Sequence, residues 1–99
     1  MEIPPPTSVY RLHPDVAIED FDDRSLVLHC SNIQLVELNA TARDALKKMN
    51  GQASIAEIAR AMIERYDTTF EVMLADLQEI AAKLVELDLI EPISQEGVA

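Results

Sequence analysis

Between residues 16 and 38, three strand-length stretches are separated by turns of only two or three residues, and that spacing dictates a topology. Val16–Phe21, Ser25–Cys30 and Ile33–Leu38 are joined through Asp22-Asp23-Arg24 and Ser31-Asn32, both rich in turn formers. A parallel connection needs a dozen or more residues, so the three must be antiparallel neighbours in a meander. The middle stretch alternates. Leu26, Leu28 and Cys30 share one face; Val27 and His29 share the other. The richer apolar row is assigned to the core, with Cys30 as a small core residue and His29 at the surface.

Helical patterns follow. Asn39 is placed to cap Ala40-Thr41-Ala42, and Ala42, Ala45/Leu46 and Met49 recur on one helical face. Lys47 and Lys48 suit the last turn, and Gly51 lies just beyond as a stop. Ser54-Ile55-Ala56-Glu57 is a capping box, followed by an apolar stripe from Ile55 to Tyr66, with Arg60 and Glu64 spaced for an ion pair. The third helix spans about Phe70–Leu87. Its core stripe is Phe70, Met73, Leu74, Leu77, Ile80, Ala81, Leu84 and Leu87, opposite Asp76, Glu79, Lys83 and Glu86. On its flank, Glu71, Ala75, Gln78, Ala82 and Val85 form a strip of small or moderate residues. The expected core is Leu26, Leu28, Leu38, Leu46, Ile58, Met62, Leu74, Leu77, Ile80 and Leu84. The fold class is therefore α+β, a three-stranded antiparallel meander followed by three helices.

At the ends, residues 1–12 read as an extended, Pro-rich segment outside the core, with no apolar stretch typical of a signal peptide. Residues 13–92 form the domain. Leu89-Ile90-Glu91-Pro92 can add a short extended stretch, and residues 93–99 form a polar tail.

Composition then removes functional classes. Eight Lys and Arg stand against 18 Asp and Glu, a net charge of −10. Nucleic-acid backbones and anionic membrane surfaces both select cationic proteins, so neither is expected as a partner. A single cysteine excludes internal disulfides and points to the cytoplasm. The ligand candidates are His13, His29 and Cys30, and the last two point to opposite sides of one strand. No metal and no cofactor is expected. Neither glycine belongs to a phosphate loop, and no nucleophile stands beside an oriented base, so no catalytic residue is assigned and the chain reads as a non-enzyme.

What is left is a surface. A meander has two edges, and an edge beside a helix flank of small residues suits an added peptide strand. The same helix flank is equally explained by the helix propensity of Ala75 and Ala82.

Certain residues tip that balance. Leu38-Asn39-Ala40-Thr41-Ala42, Asn50-Gly51, Ser54-Ile55-Ala56-Glu57-Ile58, Tyr66 and Leu84…Leu87-Asp88-Leu89-Ile90 occur in this order. Over about Leu12–Glu91 the chain resembles the PqqD family, the pyrroloquinoline quinone (PQQ) biosynthesis protein D group, also called the recognition element of ribosomally made, modified peptides (RiPPs). Asp88 stands where that pattern commonly has Gly, and Asn50 where it commonly has Asp. The resemblance implies a winged-helix-like fold and a non-catalytic peptide chaperone. Such a chaperone binds the leader of a precursor peptide and delivers it to a radical SAM or other peptide-modifying enzyme, in PQQ synthesis or a related pathway. It implies a leader strand beside the third strand, at Gln34, Leu35, Val36 and Glu37, resting on the third helix. The residues assigned there are Ala75, Gln78, Ala82 and Val85. A winged-helix DNA-binding protein is the competing class, but its third helix would need outward cations, and Lys83 stands among acids. A dimerisation module, pairing the same edge with a second copy as a homodimer, is the third.

Overall fold

The computed structural model of the chain describes residues 3–22, 24–31 and 33–93. Asp23 and Asn32, assigned above to turns, and the tail beyond residue 93 lie outside the described residues. Chain order is β1 (Val9–Leu12), β2 (Val16–Asp20), β3 (Arg24–His29), β4 (Gln34–Asn39), α1 (Ala40–Lys48), β5 (Asn50–Ser54), α2 (Ile55–Met62), α3 (Phe70–Glu86) and β6 (Ile90–Pro92).

The meander is present as β2-β3-β4, antiparallel throughout. Its buried face is the opposite of the one expected. Ser25, Val27 and His29 are buried, whereas Leu28 is exposed, Leu26 only partly covered, and Cys30 exposed. Val27 stands between Ile18 and Val36 in register, under the helices. The two buried polar groups are held from outside their strand. Ser25 Oγ donates to Asp20 Oδ1 at 2.6 Å, and His29 Nε2 lies 3.2 Å from Asp88 Oδ2. A buried hydroxyl with a partner costs little, so polarity alone could not keep this face outside. On the outer face, Leu28 pairs with Ala17 and Leu35, and Leu26 with Glu19 and Glu37. Ile33, expected to open the third strand, instead occupies the turn at φ 50°.

A second sheet, in the order β5-β1-β6, was not foreseen except for the stretch at residues 89–92. Its central strand is β1, from the segment expected to lie outside the core. Val9 and Tyr10 are buried, and so is Pro4. The carbonyls of Pro6 and Ser8 accept from the amides of Ala56 and Ile55, two of the free donors at the start of α2. Gln78 Nε2 donates to the Pro4 carbonyl at 2.9 Å. Gly51 serves β5 rather than a helix end. Its φ of +85° bends the strand where the pairing with β1 shifts register, and the Asn50 side chain accepts from the amides of Gln52 and Ala53.

The helices follow their sequence signals closely. Asn39, Ser54 and Thr69 cap the three N-termini, and the Ser54–Glu57 capping box is complete. α2 ends at Met62, one turn short of Tyr66, and Arg60 lies over the Phe70 ring, 5.1 Å from its centre, rather than pairing with Glu64. Leu46, Ile55, Met62, Leu77 and Leu84 make the centre of the aliphatic core. α3 ends in a Schellman motif, with Leu89 N–H donating to Leu84 C=O and Asp88 N–H to Val85 C=O. Asp88 therefore takes the left-handed position, φ 62°.

The two faces of β3 and α3 are separable by mutation. Leu77→Ala is expected to lower the unfolding free energy by about 2–5 kcal/mol. Leu28→Thr, on the outer face, should change it by no more than about 0.5 kcal/mol. Denaturant titration of both variants checks the assignment; the reverse ranking would show that the meander is turned over.

Candidate functional site

β4 is an edge. β3 occupies one side, and among the described residues no strand pairs with the other. Gln34 and Val36 turn toward the helices, and Leu35 and Glu37 turn outward. Beside this edge runs a cleft of about 180 Å³ lined by Val36, Leu38, Ala42, Ile80, Leu84 and Leu87, with Glu37 and Lys83 at its rim. Toward the start of α1 the surface continues past Asn39 and Thr41 to Asp76 and Glu79, so that end is acidic. The geometry offers free main-chain donors and acceptors next to an apolar trough, with one cation midway and carboxylates at one end.

The structure separates the two halves of the site expected from sequence. Gln34, Leu35, Val36 and Glu37 lie on the open edge. The α3 strip does not face them. Ala82 and Val85 line a different cavity of about 460 Å³, with Ile3, Pro4, Pro5, Ser8 and Tyr10. Gln78 is bonded to Pro4 on that same flank, and Ala75 is exposed. The N-terminal segment and β1 already cover the strip at Gln78 and Ala82, which explains the small residue there: Ala82 gives Tyr10 and the prolines room. The residues that do face β4 were all assigned to the core stripe. Ile80 and Leu87 are only half-buried, and the stripe spreads wider than the helical core needs. That excess width was the one available signal.

The wall containing Ala42 is fixed by electrostatics. Tyr66 Oη donates to Asp44 Oδ2, tying α1 to the turn after α2. This hydrogen bond, with help from Arg43, holds the Asp44 carboxyl below the usual carboxylate range. The same contact raises the Tyr66 hydroxyl. In the last turn of α1, Lys47 pairs with Asp20, which also accepts from Ser25; both contacts hold Asp20 low. Arg24 pairs with Glu37 at 3.1 Å across the outer face.

One group of possible metal ligands exists away from the cleft. His13, His29 and Asp88 each bring a ligating atom within 4.8 Å of the other two.

An edge-open meander, an aliphatic three-helix layer and a trough between them define a class of small α+β domains represented among solved structures. TbiB1 in complex with the TbiA(beta) leader peptide superposes with a TM-score of 0.74 at 20% identity, covering 82% of this chain and 94% of that one. A lasso peptide synthetase B1 complexed with the leader peptide gives 0.74 at 20% identity, over 84% and 98%. The PqqD truncation of Methylobacterium extorquens PqqCD, described as a functional stand-alone RiPP recognition element, gives 0.69 at 23% identity, over 87% and 97%. These likenesses establish the fold. The family described as coenzyme PQQ synthesis protein D (PqqD) matches residues 24–90, and the chain belongs to it. The search of curated proteins finds no match.

Tyr66→Phe tests the α1 anchor. A carboxylate depressed in the folded state stabilises it above the unfolded carboxyl pKa of about 3.9, and the contribution is lost as pH falls through the lower folded value. The variant should be less stable than wild type by about 1–2 kcal/mol near pH 7. The gap should narrow as pH drops below about 4. Urea titrations at several pH values read both effects; a gap that widens in acid would contradict the assignment.

Proposed function

We propose that the chain is a non-catalytic peptide chaperone, acting in the cytoplasm, that binds the leader of a ribosomally made precursor peptide. The observation that carries this reading is the unpaired β4 edge beside the trough walled by Ile80, Leu84 and Leu87. A leader strand pairing with Gln34–Glu37 gains main-chain hydrogen bonds irrespective of its sequence. Every second side chain then turns into the trough, whose volume suits an aliphatic or aromatic group. The acidic end favours a basic residue there, and Lys83 favours an acidic one midway. Membership of the PqqD family supports the reading, as do the leader-bound states of TbiB1 and of the lasso peptide synthetase B1. The enzyme that receives the peptide is a peptide-modifying enzyme; a radical SAM enzyme is the form the resemblance implies. The exposed face of α3 carries Asp76, Glu79 and Glu86 around Lys83, which opposes a DNA-reading role. A homodimer formed through β4 would compete for the same edge, and the net charge of −10 works against it.

Anisotropy titration with a fluorescein-labelled TbiA(beta) leader peptide, and with the leader of any short precursor gene found beside this one, tests the site. Ile80→Asp and Leu87→Asp should each weaken binding at least ~10-fold, since a charge in an apolar trough must be desolvated. Val85→Asp, on the far flank of α3, should bind as wild type does. Loss with Val85→Asp and none with the other two would move the site to the cavity under the N-terminal segment. Sedimentation over a concentration series reads any self-pairing.

A further inference from the structure

We propose that His13, His29 and Asp88 form a binding site for one divalent transition-metal ion of the zinc class, distinct from the trough and independent of the peptide-binding reading. Three separate parts of the chain converge there. His13 follows β1, His29 ends β3, and Asp88 follows α3. The convergence is built into the backbone, because His13 N–H donates to Leu89 C=O at 2.9 Å, which holds His13 beside the residue after Asp88. The two imidazole rings lie with centroids 4.5 Å apart.

Asp88 is the one hydrogen-bonding partner of the His29 ring among the described residues, and it is a partner a metal ion can share. His29 is 1% exposed, yet its Nδ1 is buried with no partner, which is rare for a polar atom in a core. Its Nε2 stands 3.2 Å from Asp88 Oδ2. Two atoms each about 2.0–2.2 Å from a tetrahedral ion are separated by roughly 3.3 Å, so the gap suits a shared cation. His13 Nδ1 accepts from the Asp15 amide and is therefore held as a lone pair, the form a metal requires. Asp15 is exposed, so its amide can turn to water when the ring coordinates. The three ligand atoms lie within 4.8 Å of one another, wider than the roughly 3.3 Å of ligands sharing one ion, so the His13 ring must turn inward on its fixed backbone to join it. The Asp88 side chain is largely exposed, which gives the ion its way in and leaves a fourth position for water.

Asp88 makes the argument specific. It occupies a left-handed helix-end position, φ 62°, where glycine is the unstrained choice. A glycine there would leave His29 without its carboxylate. Imidazole and carboxylate donors together suit zinc, and cobalt(II) replaces it as a visible probe.

The experiment uses the full chain without a histidine tag. Titration with Co²⁺ should give a saturable visible d–d absorption at one equivalent, and Zn²⁺ should raise the thermal midpoint as its concentration increases. His13→Gln and Asp88→Gly should each weaken Co²⁺ binding at least ~10-fold. Asp88→Gly relieves the backbone but removes the partner of buried His29, so the metal-free midpoint of each variant is measured first and Co²⁺ binding is compared well below it, which separates ligand loss from unfolding. No saturable absorption in wild type would overturn the site. So would an unchanged response in both variants, which would place the ion on the acidic surface instead.

Discussion

Which face of β3 turns inward decides almost everything else. Strand side chains alternate, so a choice at Val27 fixes Ser25 and His29 with it, and through register fixes Ile18, Val36 and Leu38 on the neighbouring strands. With Val36 inward, α1 packs on β4 and a trough opens between that strand and α3. With Leu28 and Leu35 outward, the meander presents a second, partly apolar surface that no helix covers. The helices do not choose freely. The Asp44–Tyr66 and Asp20–Lys47 contacts pin α1 at its middle and in its last turn, and α1 supplies the floor at Ala42.

Local signals in the sequence were sufficient where the determinant was local. Asn39, Ser54 and Thr69 each satisfy amides within three residues, and the turns of the meander leave one topology. The apolar stripe of α3 was equally legible, because the 3.6-residue period is a property of the segment itself. The face of β3 was not. The richer apolar row, Leu26 and Leu28, turns outward, and Ser25 and His29 could be buried only because Asp20 and Asp88 meet them, five and 59 residues away. Nothing in the strand announces those partners.

The candidate site divides along the same line. Its strand half follows from the meander, since the last strand of three must be an edge. Its helix half depends on how α3 lies across the sheets. Ala82 and Val85 sit under Pro4, Pro5 and Tyr10 because β1 pairs between β5 and β6, a long-range arrangement no window of the sequence displays. The width of the stripe from Ile80 to Leu87 held the information, but it could be read only once that second sheet was in place.

That second sheet has a consequence for the order in which the molecule can be completed. β1 leaves the ribosome well before its neighbours, residues 50–54 and 90–92. The meander and α1 can close on themselves while Val9 and Tyr10 wait for residues some eighty positions later in the chain. Pairings so distant are slow to form and leave apolar surface open in the interval. A nascent chain arrested before Ile90 would therefore carry a finished meander together with an unshielded β1, a species recognisable by the cell's holding chaperones and by proteases.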